Sequence, residues 1–420
     1  MTDADEQRRA PAWRTAPVLA ASLLAMSSGI AAFGVTAVIG DVAAAFGEPG
    51  AGDEALTEIG LPVTTIGIAL GIVRLASLGS LPLAAAADRV GRRRLLLTVA
   101  ALGLTLTSLA ATAPGLWWYV ALVALARPSL ATVNAVTGVV AAEESRSTDR
   151  AGAIAMITAA YGVGSGIVSV GRGLLPGEPS FRVVSLFALV PLLLLPVIAR
   201  HLREPEIATE RARPEGLPGV VPRRLRGRVT VLALLVGGIA VATGPGFTYL
   251  FVYGERVLGA TPLQVSTLVL AAGPVGLGGL LLGRWGADRL GRRLTGALTM
   301  AGTGLAVAVA YSGTFPALAG GYLATILLAS AFAPAQGALA AELVPTSVRA
   351  TVAGWAAVSG VLGAVLGLTT FGVLADATGG FASAARLLGV LVAAAALGFL
   401  GLPETHGVEL EELEEPAPPA

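Results

Sequence analysis

An all-α integral membrane fold, with twelve transmembrane helices in two pseudo-symmetric six-helix bundles, is predicted by three observations. Hydrophobic residues make up 55% of the 420 and charged residues only 13%, with a mean hydropathy of +0.77, whereas a soluble domain is about one-quarter charged. About 20 apolar residues cross a bilayer as a helix, and the chain supplies roughly twelve stretches of that size between short polar breaks. The segment Ala87-Asp88-Arg89-Val90-Gly91-Arg92-Arg93 returns as Ala287-Asp288-Arg289-Leu290-Gly291-Arg292-Arg293, an offset of 287 − 87 = 200 residues. The chain is therefore two copies of one unit, the layout of a duplicated membrane carrier.

The spans are expected at 16–40, 61–87, 95–112, 116–141, 151–173 and 181–200, then at 229–253, 263–287, 294–313, 316–341, 350–374 and 381–402. This gives an N-terminal bundle over 1–200, a linker over 201–228, a C-terminal bundle over 229–402 and a tail over 403–420. The linker is too polar to span and lacks apolar periodicity, with Arg211, Arg213, Arg223, Arg224, Arg226 and Arg228 among its prolines.

All 28 basic residues are arginine; with the amino terminus inside, 22 fall on the cytoplasmic side, four outside (Arg172, Arg182, Arg256, Arg386) and two within spans. That asymmetry predicts a multi-pass protein of the plasma (inner) membrane with both termini, linker and tail in the cytoplasm. The first outer loop, 41–58, carries Asp41, Glu48, Asp53, Glu54 and Glu58 without a basic residue. Span 1 is too long, and followed by no persuasive small-residue site, to read as a cleaved signal.

Several function classes are excluded. The chain has no cysteine and only two histidines, His201 and His406, both outside the spans, so no metal site, thiol chemistry or cofactor is expected. The arginines are spread along loops rather than gathered on a soluble face, so nucleic acid is not a partner. Membrane lipid and a small solute are the expected partners, with a monomer as the working state. An integral-membrane enzyme would need a nucleophile, metal or acid–base pair in the membrane, and no such cluster stands there. A sensor would need an output domain larger than the tail.

Much of the glycine lies inside the spans, as in Gly67-Ile-Ala-Leu-Gly71, Gly162-Val-Gly-Ser-Gly166 and Gly363-Ala-Val-Leu-Gly367. Small residues let helices touch closely where lipid offers no hydrophobic drive.

Asp88 and Asp288 each close an even-numbered span, with Arg89 or Arg289 beside them and a Gly-Arg-Arg turn, containing Arg92 or Arg292, leading into the next. Each carboxylate could bond arginines or a helix amino terminus and latch that face. A second pair repeats: Glu143 with Arg150, and Glu342 with Arg349, both seven apart and offset by 342 − 143 = 199. Asp88, Arg89, Arg92, Glu143, Arg150, Asp288, Arg289, Arg292, Glu342 and Arg349 are thus expected to gate rather than bind the solute, as a network, because single surface ion pairs are weak.

These loops, together with Ala341-Glu-Leu-Val-Pro-Thr-Ser-Val-Arg-Ala-Thr351, resemble the major facilitator superfamily over nearly the whole chain. The ending Leu402-Pro-Glu-Thr-His-Gly-Val-Glu-Leu-Glu-Glu-Leu413 is similar to that of sugar porters, and Phe332-Ala-Pro-Ala-Gln336 is closer to metabolite:proton symporters. The resemblance implies alternating access, with symport as one mode. Ala84 and Arg284 replace the glycine that usually opens the loop motif, and Gly337 stands where sugar porters carry tryptophan. Span 7 offers Thr243-Gly-Pro-Gly-Phe-Thr-Tyr-Leu-Phe-Val-Tyr253 instead of paired glutamines, so a sugar is not predicted.

Two charges stand inside spans. Arg74 precedes Asp88 by 14 residues, about 21 Å at 1.5 Å per residue and so near mid-bilayer; Arg127 is similarly deep in span 4. An arginine at a helix centre costs about 2.5–3.5 kcal/mol on insertion scales, so both should face the bundle interior or water. No Asp or Glu occupies the middle of any span. An anionic solute, most simply a small organic carboxylate, would compensate Arg74 or Arg127 by bidentate hydrogen bonds; carbonyls, Asn134 or water satisfying the arginines as a packing feature is the competing reading. Asn134, Tyr161, Tyr249, Tyr253 and Gln336 join the two arginines as candidate substrate-binding residues, polar tips on apolar bodies.

Proton coupling needs a titratable carboxylate, and span 1 has Phe33-Gly34-Val35-Thr36 where proton-coupled sugar porters place an aspartate. Asp41, about one turn further out, is the candidate proton site; a solvated helix cap is its alternative role. The rival within the same fold is a multidrug exporter. Gly162 to Gly166 resembles the start of the exporters' span-5 motif, but Ile167 replaces its proline.

Overall fold

The computed structural model describes residues 15–47, 59–145, 149–175, 180–204 and 223–405. The expectations for the acidic loop beyond Gly47, most of the linker, the tail from His406 onward and the side chain of Asp88 fall outside the described residues.

Twelve helices among the described residues are long and apolar enough to cross a membrane: α1 Ala16–Phe46, α2 Val63–Ala85, α3 Arg92–Thr112, α4 Leu116–Glu143, α5 Gly152–Gly173, α6 Phe181–His201, α7 Arg226–Thr248, α8 Pro262–Arg289, α9 Arg292–Ala310, α10 Phe315–Glu342, α11 Thr351–Thr378 and α12 Phe381–Gly401. Each matches one expected span. The first runs past its expected end at 40 to Phe46 because Asp41, which looked like a terminus, is buried in the helix and neutralised there. The α-helix of α7 stops at Thr248 rather than 253, three residues after Pro245, and the chain continues as a π-helical turn over Val252–Val257; a proline withholds one N–H from the helical ladder. In α2 a tight 3-10 turn, Ser77–Gly79, begins three residues after Arg74.

The chain compacts into two units, and two helices change unit along their length. One unit holds α1, α2 from Ile72, α3 to α6 and the first residues of α8 as far as Val269. The other holds α2 as far as Gly71, α7, α8 from Leu270 and α9 to α12. Within each unit the packing pattern is the same. In the first, α1 lies on α5 and α4, with α3 on α4; in the second, α7 lies on α11 and α10, with α9 on α10.

Glycine sets the closest of these approaches. A Cβ on Gly164 of α5 would stand 2.1 Å from the carbonyl oxygen of Met26 on α1, and one on Gly363 of α11 would stand 2.0 Å from that of Gly237 on α7. Backbones in direct contact gain the dispersion and weak C–H···O attraction that substitutes for hydrophobic force in lipid. Around these seams the first unit packs Leu24, Leu96, Val99, Val136 and Ile157 into one apolar cluster. The second builds an aromatic core in which Tyr249 stacks on Phe371 with centroids 5.0 Å apart, and Tyr253 meets Tyr311 edge-on at 4.9 Å.

Candidate substrate site and charged rim

Arg74 and Arg127 converge within the first unit. Their charges are close enough to repel one another, and Tyr161 of α5 is within electrostatic reach of Arg74. Among the described residues neither guanidinium meets a carboxylate, and Nε of Arg127 is buried without a hydrogen-bond partner. Pro128 follows Arg127 inside α4, and its ring lies 3.1 Å from where a Cβ on Gly79 would stand, so the tight turn of α2 packs against α4 beside the arginines. Asn134 is exposed two turns further along α4, and Tyr161 is half-buried. The positions 200 residues on from Arg74 and Arg127 are Pro274 and Leu327, so the cations belong to one half of the duplication alone.

The other candidates lie in the second unit. Gln336 is half-buried on α10. Tyr249 and Tyr253 are 0% and 3% exposed, inside the aromatic core. The Tyr249 hydroxyl donates to the carbonyl of Leu368 at 3.2 Å, with that of Val63 at 3.4 Å.

Asp41 is 5% exposed and pairs with Arg172 of α5, itself 1% exposed. Nε of Arg172 donates to Oδ2 at 3.0 Å and Nη2 to Oδ1 at 2.7 Å. The solvated-cap alternative for Asp41 is thereby set aside. Arg172, counted on the outer side by the distribution of charge, stands in the last turn of α5, where Asp41 pairs with it.

At the arginine-rich rim each unit repeats one arrangement. Arg92 forms an ion pair with Glu143, and Arg292 with Glu342 at 3.4 Å. Arg150 donates to the carbonyl of Ala142 at 3.0 Å, and Arg349 to that of Ala341 at 2.8 Å, each closing the end of the preceding span. Arg89 is exposed, Arg289 lies over the Trp285 ring at 5.7 Å, and Asp288 faces Arg284 of its own helix at 4.0 Å with both side chains largely in solvent.

Two residues of this rim escaped the sequence reading. Glu204 accepts from the backbone N–H of Arg92 and Arg93 at 2.6 and 2.9 Å; Glu404 accepts from those of Arg292 and Arg293 at 2.9 and 3.1 Å. Each carboxylate caps the amino terminus of α3 or α9, where unpaired N–H groups and the helix dipole favour a negative charge. Gly91 and Gly291, at φ +95° and +91°, supply the left-handed turn that presents those N–H groups. The signal was there: Leu202-x-Glu204 and Leu402-x-Glu404 stand 404 − 204 = 200 apart.

A Major Facilitator Superfamily model matches residues 18–286. The chain belongs to the Major Facilitator Superfamily. A Sugar (and other) transporter model matches residues 215–416. Among curated proteins the chain is 28% identical over 302 residues, 67% of its own length and 68% of the relative's, to a Cupriavidus pinatubonensis protein named "Probable 4-methylmuconolactone transporter". Among solved structures it is similar to the inward open xylose transporter XylE from E. coli, with a TM-score of 0.72 at 18% identity over 94% of this chain and 98% of that one. It is also similar to a bacterial homologue of the human lysosomal transporter Spinster, with a TM-score of 0.68 at 16% identity over 91% and 95%. At such identities the likeness establishes the fold alone. This Major Facilitator chain is a multi-pass membrane transporter of small solutes and not an enzyme.

Proposed function

We propose that this transporter carries a small organic anion across the cell membrane by alternating access, as a monomer with both termini in the cytoplasm, and that Arg74 and Arg127 bind the anion. The observation that carries the reading is the pair itself: two mutually repelling guanidinium groups with no carboxylate partner among the described residues. A cation inside a membrane span is costly until compensated, and a carboxylate that enters between them gains charge-assisted, bidentate hydrogen bonds. Tyr161 and Asn134 supply neutral polar contacts beside the arginines. The relative named as a 4-methylmuconolactone transporter supports an organic solute over a lipophilic cation. Asp41 is the proposed proton carrier; taking up a proton there would release Arg172.

Counterflow in proteoliposomes tests this with a panel of carboxylates, amino acids, sugars and lipophilic cations, each with and without a pH gradient. At least one carboxylate is transported, and Arg127→Ala lowers its flux about tenfold or more, the factor attached to losing a hydrogen bond to a charged group. Undiminished carboxylate flux in Arg127→Ala, or flux confined to lipophilic cations, overturns the reading; the latter outcome identifies an exporter.

A further inference from the structure

We propose that Asp376, near the end of α11, is a latch residue of the transport cycle: it caps the end of α2 remote from the arginine rim and must release it before the carrier opens on that side. The backbone N–H of Val63 donates to Oδ1 of Asp376 at 2.9 Å and that of Thr64 to Oδ2 at 2.8 Å. Both carboxylate oxygens are thus spent on the first two N–H groups of a helix 313 and 312 residues away in sequence.

The duplication makes this cap informative. Helix α8 opens with Thr261-Pro262-Leu263-Gln264, and 200 residues earlier α2 opens with Leu61-Pro62-Val63-Thr64. α8 caps itself. The N–H and hydroxyl of Thr261 donate to Oε1 of Gln264 at 2.8 and 3.1 Å, and the N–H of Gln264 donates back to the Thr261 hydroxyl at 3.3 Å, a reciprocal capping box. Leu61 has no side-chain oxygen, so α2 cannot close the same box. Its cap comes from another helix.

The surrounding contact is backbone to backbone. A Cβ on Gly67 would stand 2.5 Å from the Leu368 carbonyl oxygen, and one on Gly372 would stand 2.6 Å from that of Val63. The buried Tyr249 hydroxyl sits against the same two carbonyls. α2 as far as Gly71 therefore belongs with α11, while from Ile72 the same helix belongs to the other unit. Any motion that draws the start of α2 off α11 uncaps two N–H groups and frees a carboxylate. That makes Asp376 a switchable restraint, whereas the self-capped start of α8 loses nothing when it moves. The inference rests on family membership and not on the anionic substrate, and its test uses no substrate.

The chain has no cysteine, so a single Thr369→Cys, on α11 facing Gly71, reports opening by its labelling rate with a membrane-impermeant maleimide added from the outside. Three backgrounds are compared: the parent, Asp376→Ala, and Asp376→Ala with the α8 box grafted onto α2 as Leu61→Thr and Thr64→Gln. Asp376→Ala labels about five to ten times faster, the equilibrium factor of one lost cap. The graft restores thermal stability while labelling stays fast, because α2 then carries its own cap into either state. An unchanged rate in Asp376→Ala overturns the latch. A graft that returns both stability and labelling to the parent values also overturns it, reducing Asp376 to a structural cap.

Discussion

Arg172 holds both carboxylate oxygens of Asp41 in an ion pair whose side chains are 1% and 3% exposed. A pair so enclosed is costly to break singly, because the charge left behind loses its opposite charge while it stays shielded from water. Asp41→Asn should therefore cost about 3–5 kcal/mol, read as a lowered midpoint of thermal inactivation in detergent. Asp41→Leu with Arg172→Met should recover most of that loss. In the double variant, substrate flux that no longer responds to a pH gradient assigns the proton to Asp41; a retained response removes it from coupling.

Glu204 and Glu404 each accept from two consecutive N–H groups at a helix start. Replacing either by glutamine should destabilise its own half by about 1 kcal/mol, and alanine by up to about 2 kcal/mol. Because the two caps serve different units, the double variant should show additive losses in thermal stability.

Arg92 with Glu143 and Arg292 with Glu342 are partly shielded pairs, with side chains 12–19% exposed. A double-mutant cycle at either pair, built from glutamine replacements, should return a coupling energy near about 1 kcal/mol, the upper end for exposed pairs. The coupling should shrink at high salt by less than a fully exposed pair such as Arg284 with Asp288, since burial reduces screening.

Gly164 and Gly162 lie two residues apart on α5 and differ sharply in what surrounds them. A Cβ on Gly164 meets the Met26 carbonyl at 2.1 Å, while one on Gly162 meets nothing within 4 Å. Gly164→Ala should force α1 and α5 apart and lower the yield of folded protein in size-exclusion profiles; Gly162→Ala should leave both yield and thermal midpoint unchanged. Gly363→Ala, at 2.0 Å from Gly237, should behave like Gly164→Ala in the second half.

All twelve spans were legible because apolar length is a one-dimensional property, and their ends failed only where local chemistry intervened. Asp41 hid the end of α1 because a carboxylate in a hydrophobic run reads as a terminus unless its partner, 131 residues on, is known. The expected span over 229–253 missed both the end of the α-helix at Thr248 and the π-helical turn beyond it, since Pro245 also lies inside the helix. Arg74 and Arg127 stood out as unpaired charges in apolar runs, which sequence can register; that their charges lie close enough to repel depends on how α2 and α4 pack. The caps by Glu204 and Glu404 were missed since the sixth and twelfth spans had not been aligned as repeats.

By itself the sequence determined membrane residence, the number of spans, the duplication and the presence of two uncompensated cations, because hydropathy, length and repeat offset are all carried along the chain. Only the tertiary structure decided which charges meet: Asp41 with Arg172, Asp376 with the start of α2, and Tyr249 with an aromatic core instead of open space. Electrostatic and hydrogen-bond energies fall off within a few ångströms, so partners separated by more than a hundred residues become partners only when helices pack.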